Sequence, residues 1–152
     1  MAIQMRSLLP SFDGAAAWVN GEPTKADLHG RAVLVHFWSI SCGICHTTAQ
    51  AVNEWRDRFG DDLVLISIHQ PRSPKELDID EIIADALKAM HMTQHCAIDN
   101  DHAIVSRFGN QFVPGFYLFD RNHEFRHFQA GDKGHDRIVA IIERIVNERA
   151  AA

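Results

Sequence analysis

The paired cysteines in Cys42-Gly43-Ile44-Cys45 are the residues of this sequence most capable of chemistry. Two thiols at this spacing can form a reversible disulfide, bind a metal ion or attach a haem. A third cysteine, Cys96, stands apart from them. A chain of 152 residues buries enough apolar surface to fold without disulfide staples. The cysteines therefore need an explanation other than stability.

The hydrophobic pattern places the cysteine pair between the end of a predicted strand and the start of a predicted helix. The run from Ala32 to Trp38 is apolar, β-branched and aromatic, which is typical of a strand buried on both faces. Apolar residues then recur at helical spacing, at Ala49, Val52, Trp55 and Phe59. With Gly60 as a stop signal, this spacing predicts a helix from about Cys42 to Phe59.

That position gives the two thiols different roles. Unpaired N–H groups and the positive end of the helix dipole favour the thiolate of Cys42, so its pKa is expected below the usual value of about 8.5. Cys45 lies one turn further into the helix, where more burial is expected. Cys42 is thus the predicted attacking nucleophile, and Cys45 is the predicted resolving thiol that collapses a mixed disulfide.

The remaining elements predict a single α/β domain over residues 1–152. Turn signals at 13–14 and 20–21 indicate a short hairpin-like lead-in. Further strands are predicted at 63–68 and 95–98 and as a hairpin over 116–129, and further helices at 79–90, 104–108 and 138–145. Strands that alternate with helices favour a mixed central sheet flanked by helices on both faces.

Several motifs resemble the thioredoxin-like thiol-disulfide oxidoreductases of the TlpA/ResA type. They are the segment 38–45, which contains the cysteine pair, and Val113-Pro114 ahead of the strand at 116–120. Segments 36–42, 71–73, 99–103 and 127–131 are most similar to cytosolic bacterial members. The resemblance implies a thioredoxin fold with a helical insertion at 78–90. It also implies exchange with disulfide-bonded protein substrates, without a bound cofactor or metal.

The resemblance also suggests site residues beyond the two cysteines. Pro114 matches a cis-proline that faces the disulfide, and Val113 matches the residue whose backbone pairs with substrate. Gly115 follows where many members carry threonine, and is expected to affect substrate fit or backbone stiffness. His36 replaces the buried aspartate that moves the proton of the resolving cysteine. A histidine can do the same, although a merely packed core histidine is an equal alternative. Trp38 is predicted to contact substrate or to pack in the core.

A haem site and a zinc site are the alternatives. Cys42-Gly43-Ile44-Cys45-His46 also matches the haem c attachment pattern, with His46 as the axial ligand. A predicted strand and buried helix around the motif disfavour haem, and the simpler interpretation is that His46 tunes the Cys42 thiolate. Zinc would need a second close ligand pair, and His91 and His95 are not expected to converge. A peroxidase would need a proline-rich loop before Cys42, which is missing.

Net charge and composition indicate which classes of partner and which cell compartment to expect. The net charge of -5 disfavours nucleic acid and anionic membranes as partners. There is no apolar run of the roughly 20 residues that span a bilayer, and the first residues lack a secretory-type segment. We therefore expect a cytoplasmic reductase supplied by thioredoxin reductase or another thiol system. Cys96 is predicted to be core filler, with a regulatory thiol as the alternative.

Overall fold

The computed structural model describes residues 3–149, and these residues form one six-stranded mixed sheet. The strands are β1 (Ala17–Val19), β2 (Ala32–Trp38), β3 (Leu63–His69), β4 (His95–Ile98), β5 (Gly115–Phe119) and β6 (Phe125–Ala130). Their order across the sheet is β1-β4-β3-β2-β5-β6. Strands β2, β3 and β4 run parallel, whereas β1, β5 and β6 are antiparallel to their neighbours. The predicted mixed sheet with helices on both faces is confirmed.

The helices match the apolar spacing of the sequence. They are α1 (Lys25–Leu28), α2 (Gly43–Arg58), α3 (Ile79–Ala84), α4 (Ala103–Phe108) and α5 (His135–Val146). Pro74–Glu76 forms one 3₁₀ turn, and α3 continues as a π-helical segment over Asp85–Ala89. Helix α1 was not predicted; it is marked by a capping box of Thr24 and Asp27. None of the helices within 3–149 is long and apolar enough to cross a membrane.

Central strand β2 separates the core into two sides. Val33, Val35 and Phe37 point toward α4 and pack with Ile104 and Phe108. The alternate side chains of β2 lie under α2, α5 and α3, where two further apolar clusters form. Burial on both faces explains why this strand is apolar throughout and lacks alternation. The C-terminal end of β2 is thereby held rigidly beneath the first turn of α2.

The N-terminal lead-in differs from the prediction, because it is not a hairpin within the described residues. Strand β1 pairs with β4, with Trp18 opposite Ala97, and Leu8 forms an isolated bridge with Glu124 on the other edge. An isolated two-stranded hairpin is marginal in water. The N-terminal segment instead pairs with β4 on one edge of the sheet and with Glu124 on the other. The sequence also predicts that the closing helix frays over residues 150–152, and this segment lies outside the described residues.

Candidate active site

The two cysteines of the pair are bonded to each other at the first turn of α2. Cys42 is the N-cap, and its sulfur accepts a 3.0 Å hydrogen bond from the Cys45 N–H. The Cα atoms are 5.2 Å apart, within the range of an ordinary disulfide. Cys42 retains 4% of its surface exposed and Cys45 none. Of the two cysteines, only Cys42 therefore keeps some contact with solvent.

The loop before β5 faces this disulfide. The Val113–Pro114 peptide bond is cis, as the family resemblance implies. The Val113 carbonyl oxygen lies 3.7 Å from the Cys42 sulfur, whereas the Pro114 side chain is buried. Val113 is half-buried, so its backbone stands beside the sulfur at the protein surface. The structure thus brings Cys42, Cys45, Val113 and Pro114 together.

Asn110 braces this cis-proline loop, and the sequence analysis missed it. Its amide nitrogen donates to the Phe112 carbonyl oxygen at 2.8 Å and to Gln70 Oε1 at 2.7 Å. Its amide oxygen accepts from the Tyr117 hydroxyl at 3.0 Å. Asn110 itself is 6% exposed. A single asparagine after a helix-ending glycine carries no sequence signal for this role, because its three partners are distant or backbone atoms.

The same asparagine explains why the residue after the cis-proline is Gly115. A Cβ atom at Gly115 would lie 2.7 Å from the Phe112 carbonyl oxygen and 2.8 Å from Asn110 Oδ1. Both distances are shorter than any normal contact with carbon. Gly115 is also buried, so its predicted effect on substrate fit would act through the loop backbone rather than through direct contact.

The segment just before Cys42 is fastened to the chain that follows β3. The Ser39 hydroxyl donates to the Gln70 carbonyl oxygen, and the Ile40 N–H donates to His69 Nε2 at 3.1 Å. Cys42 N–H in turn donates to the Ser39 carbonyl oxygen at 3.0 Å. The segment that leads to Cys42 is therefore held by hydrogen bonds rather than by apolar packing.

Ser41, the residue next to Cys42, is hydrogen-bonded to a carboxylate and to a guanidinium group. Its hydroxyl donates to Glu76 Oε1 at 2.7 Å and accepts from Arg72 Nη2 at 3.1 Å. The second carboxylate oxygen of Glu76 accepts the Arg72 backbone N–H at 2.9 Å. Burial opposes the charge on Glu76, but the hydrogen bonds outweigh it, so the pKa of this carboxyl is lowered. Glu76 is thus an ionised anchor for Ser41, the residue before Cys42.

Trp38 does not form the predicted substrate surface. Its side chain is fully buried and packs in the cluster that contains both active-site cysteines. The ring of His69 meets it edge-on, with 4.9 Å between centroids. Burial lowers the pKa of His69 to about 4, so this imidazole is neutral and accepts from the Ile40 N–H. The structure assigns Trp38 to the packing beneath the disulfide, because β2 directs it under α2.

His36 lies two residues before Trp38 and on the same side of the sheet. Its Nδ1 is 2.9 Å from the Ser67 hydroxyl, which also accepts a 3.0 Å hydrogen bond from Gln94. Its ring stacks on Phe116 at 5.2 Å, and Nε2 is buried without a partner among residues 3–149. Complete burial lowers the pKa of His36 to about 3. The ring is therefore neutral at physiological pH.

His46 occupies both ring nitrogens within the protein. Nδ1 is 2.7 Å from the Cys42 carbonyl oxygen and Nε2 is 2.7 Å from Asp85 Oδ2. Partial burial opposes protonation, but these hydrogen bonds and the Asp85 charge prevail, so the pKa of His46 is raised. A haem iron would need one of these nitrogens, and both cysteines would be needed as thioethers rather than as a disulfide. The geometry fits a redox dithiol and disfavours a haem site.

Two further features of the sequence concern a possible metal site and the third cysteine, Cys96. Within residues 3–149, no three His, Cys, Asp or Glu side chains are grouped to hold a metal ion. Cys96 is free and fully buried, and burial raises the pKa of its thiol to about 12. This protonated thiol packs in the same apolar cluster as the active pair. Its environment is that of core filler.

Comparisons with known proteins agree with this geometry. The thiol-disulfide oxidoreductase YkuV of Bacillus subtilis is 40% identical over 148 residues, which are 96% of this chain and 99% of that protein. Protein DipZ of Mycobacterium tuberculosis is 25% identical over 91% of this chain, but the match covers 21% of DipZ. No protein-family model matches the chain.

Solved structures show the same fold. A thioredoxin-like protein in its oxidised form superimposes with a TM-score of 0.86 and 38% identity, over 97% of this chain and all of that one. A thiol-disulfide isomerase from Corynebacterium glutamicum has a TM-score of 0.77 at 18% identity, over 94% and 97% of the two chains. At that identity the second match speaks for the fold alone. From the full-length relationship to YkuV and the paired cysteines, the chain belongs to the thioredoxin-like thiol-disulfide oxidoreductases.

Proposed function

We propose that Cys42 is the nucleophile and Cys45 the resolving thiol of this enzyme. The observation that carries the proposal is the difference in access: Cys42 caps α2 with part of its surface exposed, whereas Cys45 is wholly buried. The Cys45 N–H, which bonds the Cys42 sulfur in the disulfide, is also placed to stabilise a Cys42 thiolate. The first sulfur to meet a substrate is then that of Cys42.

The reaction transfers two electrons to the substrate. The Cys42 thiolate attacks one sulfur of a substrate disulfide, an intermolecular S–S bond forms, and the other substrate sulfur leaves as a thiolate. Cys45, once deprotonated, attacks the Cys42 sulfur and releases the second substrate thiolate. The enzyme is left with the Cys42–Cys45 disulfide seen here. The substrate thiolates take up protons from solvent or from a nearby acid.

Val113 is the proposed backbone contact for the substrate polypeptide. Its carbonyl oxygen stands beside the Cys42 sulfur, and Ile44 and Phe112 present exposed apolar side chains nearby in sequence. Pro114 and Gly115 are both buried, so they support the backbone of Val113 and do not contact the substrate themselves. A substrate segment that contains the target cysteine would lie across Val113 and hydrogen-bond to its backbone.

The proposed proton-accepting role of His36 stays a prediction. A ring whose pKa lies near 3 cannot store a proton at neutral pH, so it would relay one briefly from Cys45 to another acceptor. The test is His36→Gln, with Ser67→Ala as the control that removes the hydrogen-bond partner of Nδ1 but keeps the imidazole. A relay requires slower resolution of the mixed disulfide in the glutamine variant alone. Equal rates in both variants would assign His36 to packing.

We further propose that the enzyme works as a reductase in the cytoplasm, recharged by thioredoxin reductase or another dithiol donor. The cysteine usage supports this: the active-site pair carries the single disulfide, and Cys96 is a free thiol. Disulfides that brace a fold are typical of oxidising compartments, and none braces this one. Cell fractionation with an antibody against the protein tests the compartment.

Reduction of insulin disulfides with dithiothreitol as donor tests the proposed chemistry. Wild-type protein is expected to accelerate the precipitation of insulin chains, and Cys42→Ser to abolish the acceleration. Cys96→Ala is the matched control, because it removes a buried thiol that has no part in the exchange. Activity that survives Cys42→Ser would overturn the assignment of the nucleophile.

A further inference from the structure

The two hydrogen bonds of the His46 ring require this side chain to be a cation. A carbonyl oxygen and an ionised carboxylate both only accept, so hydrogen bonds to Cys42 O and Asp85 Oδ2, each 2.7 Å long, require a proton on each ring nitrogen. This side chain is about a quarter exposed, and that of Asp85 about a fifth, at 28% and 19%. The pair is therefore screened less than a surface ion pair. An imidazolium is thus fixed against the backbone of the proposed nucleophile.

Asp85 comes from the helical insertion. It is the C-cap of α3 and the first residue of the π-helical segment, and a π-helical turn inside a helix frequently marks a functional site. The segment is packed onto the first turn of α2 by Ala86 and Met90, which share the apolar cluster of the two cysteines. The insertion thus delivers one carboxylate to the far side of the His46 ring.

The two charges of this pair are unequally distant from Cys42. The His46 ring contacts the Cys42 carbonyl directly, whereas Asp85 lies beyond the ring. A positive charge close to a thiol favours its thiolate, and a negative charge disfavours it. Other charged groups near His46 line the groove on its solvent side: Glu54 and Asp57 from α2 and the titratable His91 after the π-helical segment. None of these is hydrogen-bonded to the His46 ring in the described structure.

We propose that His46, held as an imidazolium between the Cys42 carbonyl oxygen and the Asp85 carboxylate, is a positioning residue that sets the acidity of the Cys42 thiol. The inference rests on the proposed role of Cys42 as nucleophile. The insertion contributes the carboxylate that keeps the second proton on His46. A structural role alone would hold the two elements together without changing the acidity of either cysteine.

The two single substitutions raise the pKa of the Cys42 thiol by different amounts. His46→Gln removes the near cation and leaves the Asp85 charge unbalanced, so the Cys42 pKa should rise by about half a unit to one unit. Asp85→Asn removes the carboxylate whose hydrogen bond and charge keep the second proton on His46, so both charges are lost and the Cys42 pKa should rise by a smaller amount. Asp61→Asn is the matched control. It makes the same charge change beyond the other end of the 16-residue helix α2, about 24 Å away.

The rate of iodoacetamide alkylation against pH measures this acidity, with the modified cysteine identified by peptide mass spectrometry. Each substitution is made with Cys45→Ser, so that Cys42 titrates alone; Cys96, with its pKa near 12, does not interfere. A larger rise for His46→Gln than for Asp85→Asn, with no shift for Asp61→Asn, supports the proposal. Any other order of the shifts, or a rise below about 0.2 unit in His46→Gln, overturns it. In reduced protein that keeps both thiols, alkylation of Cys45 before Cys42 would instead refute the proposed nucleophile.

The glutathione equilibrium of the unmodified dithiol gives a second readout that does not depend on alkylation. A less favoured thiolate destabilises the reduced enzyme, so His46→Gln should move the equilibrium toward the Cys42–Cys45 disulfide by roughly three- to tenfold at fixed glutathione. Asp85→Asn should move it in the same direction by a smaller factor, because His46 then loses its second proton. An unchanged equilibrium in both variants, with native circular dichroism, would overturn the proposal.

Discussion

Replacing Asn110 by alanine should loosen the cis-proline loop and remove activity and stability together. The substitution deletes three hydrogen bonds, to Phe112 O, Gln70 Oε1 and the Tyr117 hydroxyl, all between 2.7 and 3.0 Å. Neutral hydrogen bonds contribute about 0.5–1.5 kcal/mol each, and buried groups left without partners add to the loss. Asn110→Ala should therefore lower the free energy of unfolding by about 3 kcal/mol.

The same substitution should impair exchange, because the three lost hydrogen bonds position the loop that carries Val113. Misplacing a contact by about 1 Å can cost two orders of magnitude in rate, so at least a tenfold loss of insulin reduction is expected. The loss of stability corresponds to a fall in Tm of roughly 6–12 °C for a domain of this size. Asn147→Ala, at the exposed end of α5, is the control.

Thermal unfolding by circular dichroism and insulin reduction at 25 °C test both parts. The assay temperature must lie well below the Tm of the variant, so that lost activity reflects loop geometry rather than unfolding. Asn110→Ala with a Tm within about 1 °C of wild type and undiminished activity would refute the bracing role. A lower Tm with full activity would confine Asn110 to stability.

Three further predictions follow from burial at other positions. Gly115→Thr should lose stability by about 2 kcal/mol or more, because its Cβ meets the Phe112 carbonyl at 2.7 Å; an unchanged urea midpoint would contradict this. Burial lowers the pKa of His36 to about 3 and of His69 to about 4. The unfolded chain then binds more protons below pH ~6.5, and stability falls as pH falls, by about 2 kcal/mol per histidine from pH 7 to pH 5. Urea unfolding at the two pH values measures this, and His36→Gln should roughly halve the fall. Finally, Cys96 should resist iodoacetamide in folded, reduced protein at pH 8 and react after unfolding, as mass spectrometry would show; modification of Cys96 at the rate of Cys42 would contradict its burial.

Most of the fold could be predicted from apolar spacing. Strand β2 and helix α2 were predicted within a residue of their bounds, since a continuous apolar run and a helical period are local signals. Strand β1 was not, because its partner β4 lies far along the chain and its three residues carry no strong pattern. The π-helical end of α3 could not be predicted either. Over only five residues, an α-helix and a π-helix give the same spacing of apolar side chains.

The active site divides in the same way. Cys42 and Cys45 were predicted from their spacing and from the elements around them, and the cis-proline at Pro114 from family resemblance. For Trp38 the sequence left substrate contact and core packing open, because it does not show which side of a buried strand reaches the surface; the folded chain buries the side chain. The polar bracing groups were missed altogether, since Asn110 and Glu76 act through contacts that only the folded chain creates.

Trapping of a mixed disulfide tests the central assignment most directly. In Cys45→Ser, the Cys42 thiolate can attack a substrate disulfide but nothing resolves the product, so the enzyme and substrate stay covalently joined. With reduced Cys45→Ser and insulin, non-reducing electrophoresis should show a dithiothreitol-sensitive adduct, and peptide mapping should locate it at Cys42. Absence of an adduct with Cys45→Ser, or an adduct of equal yield with Cys42→Ser, would contradict the assignment of nucleophile and resolving thiol.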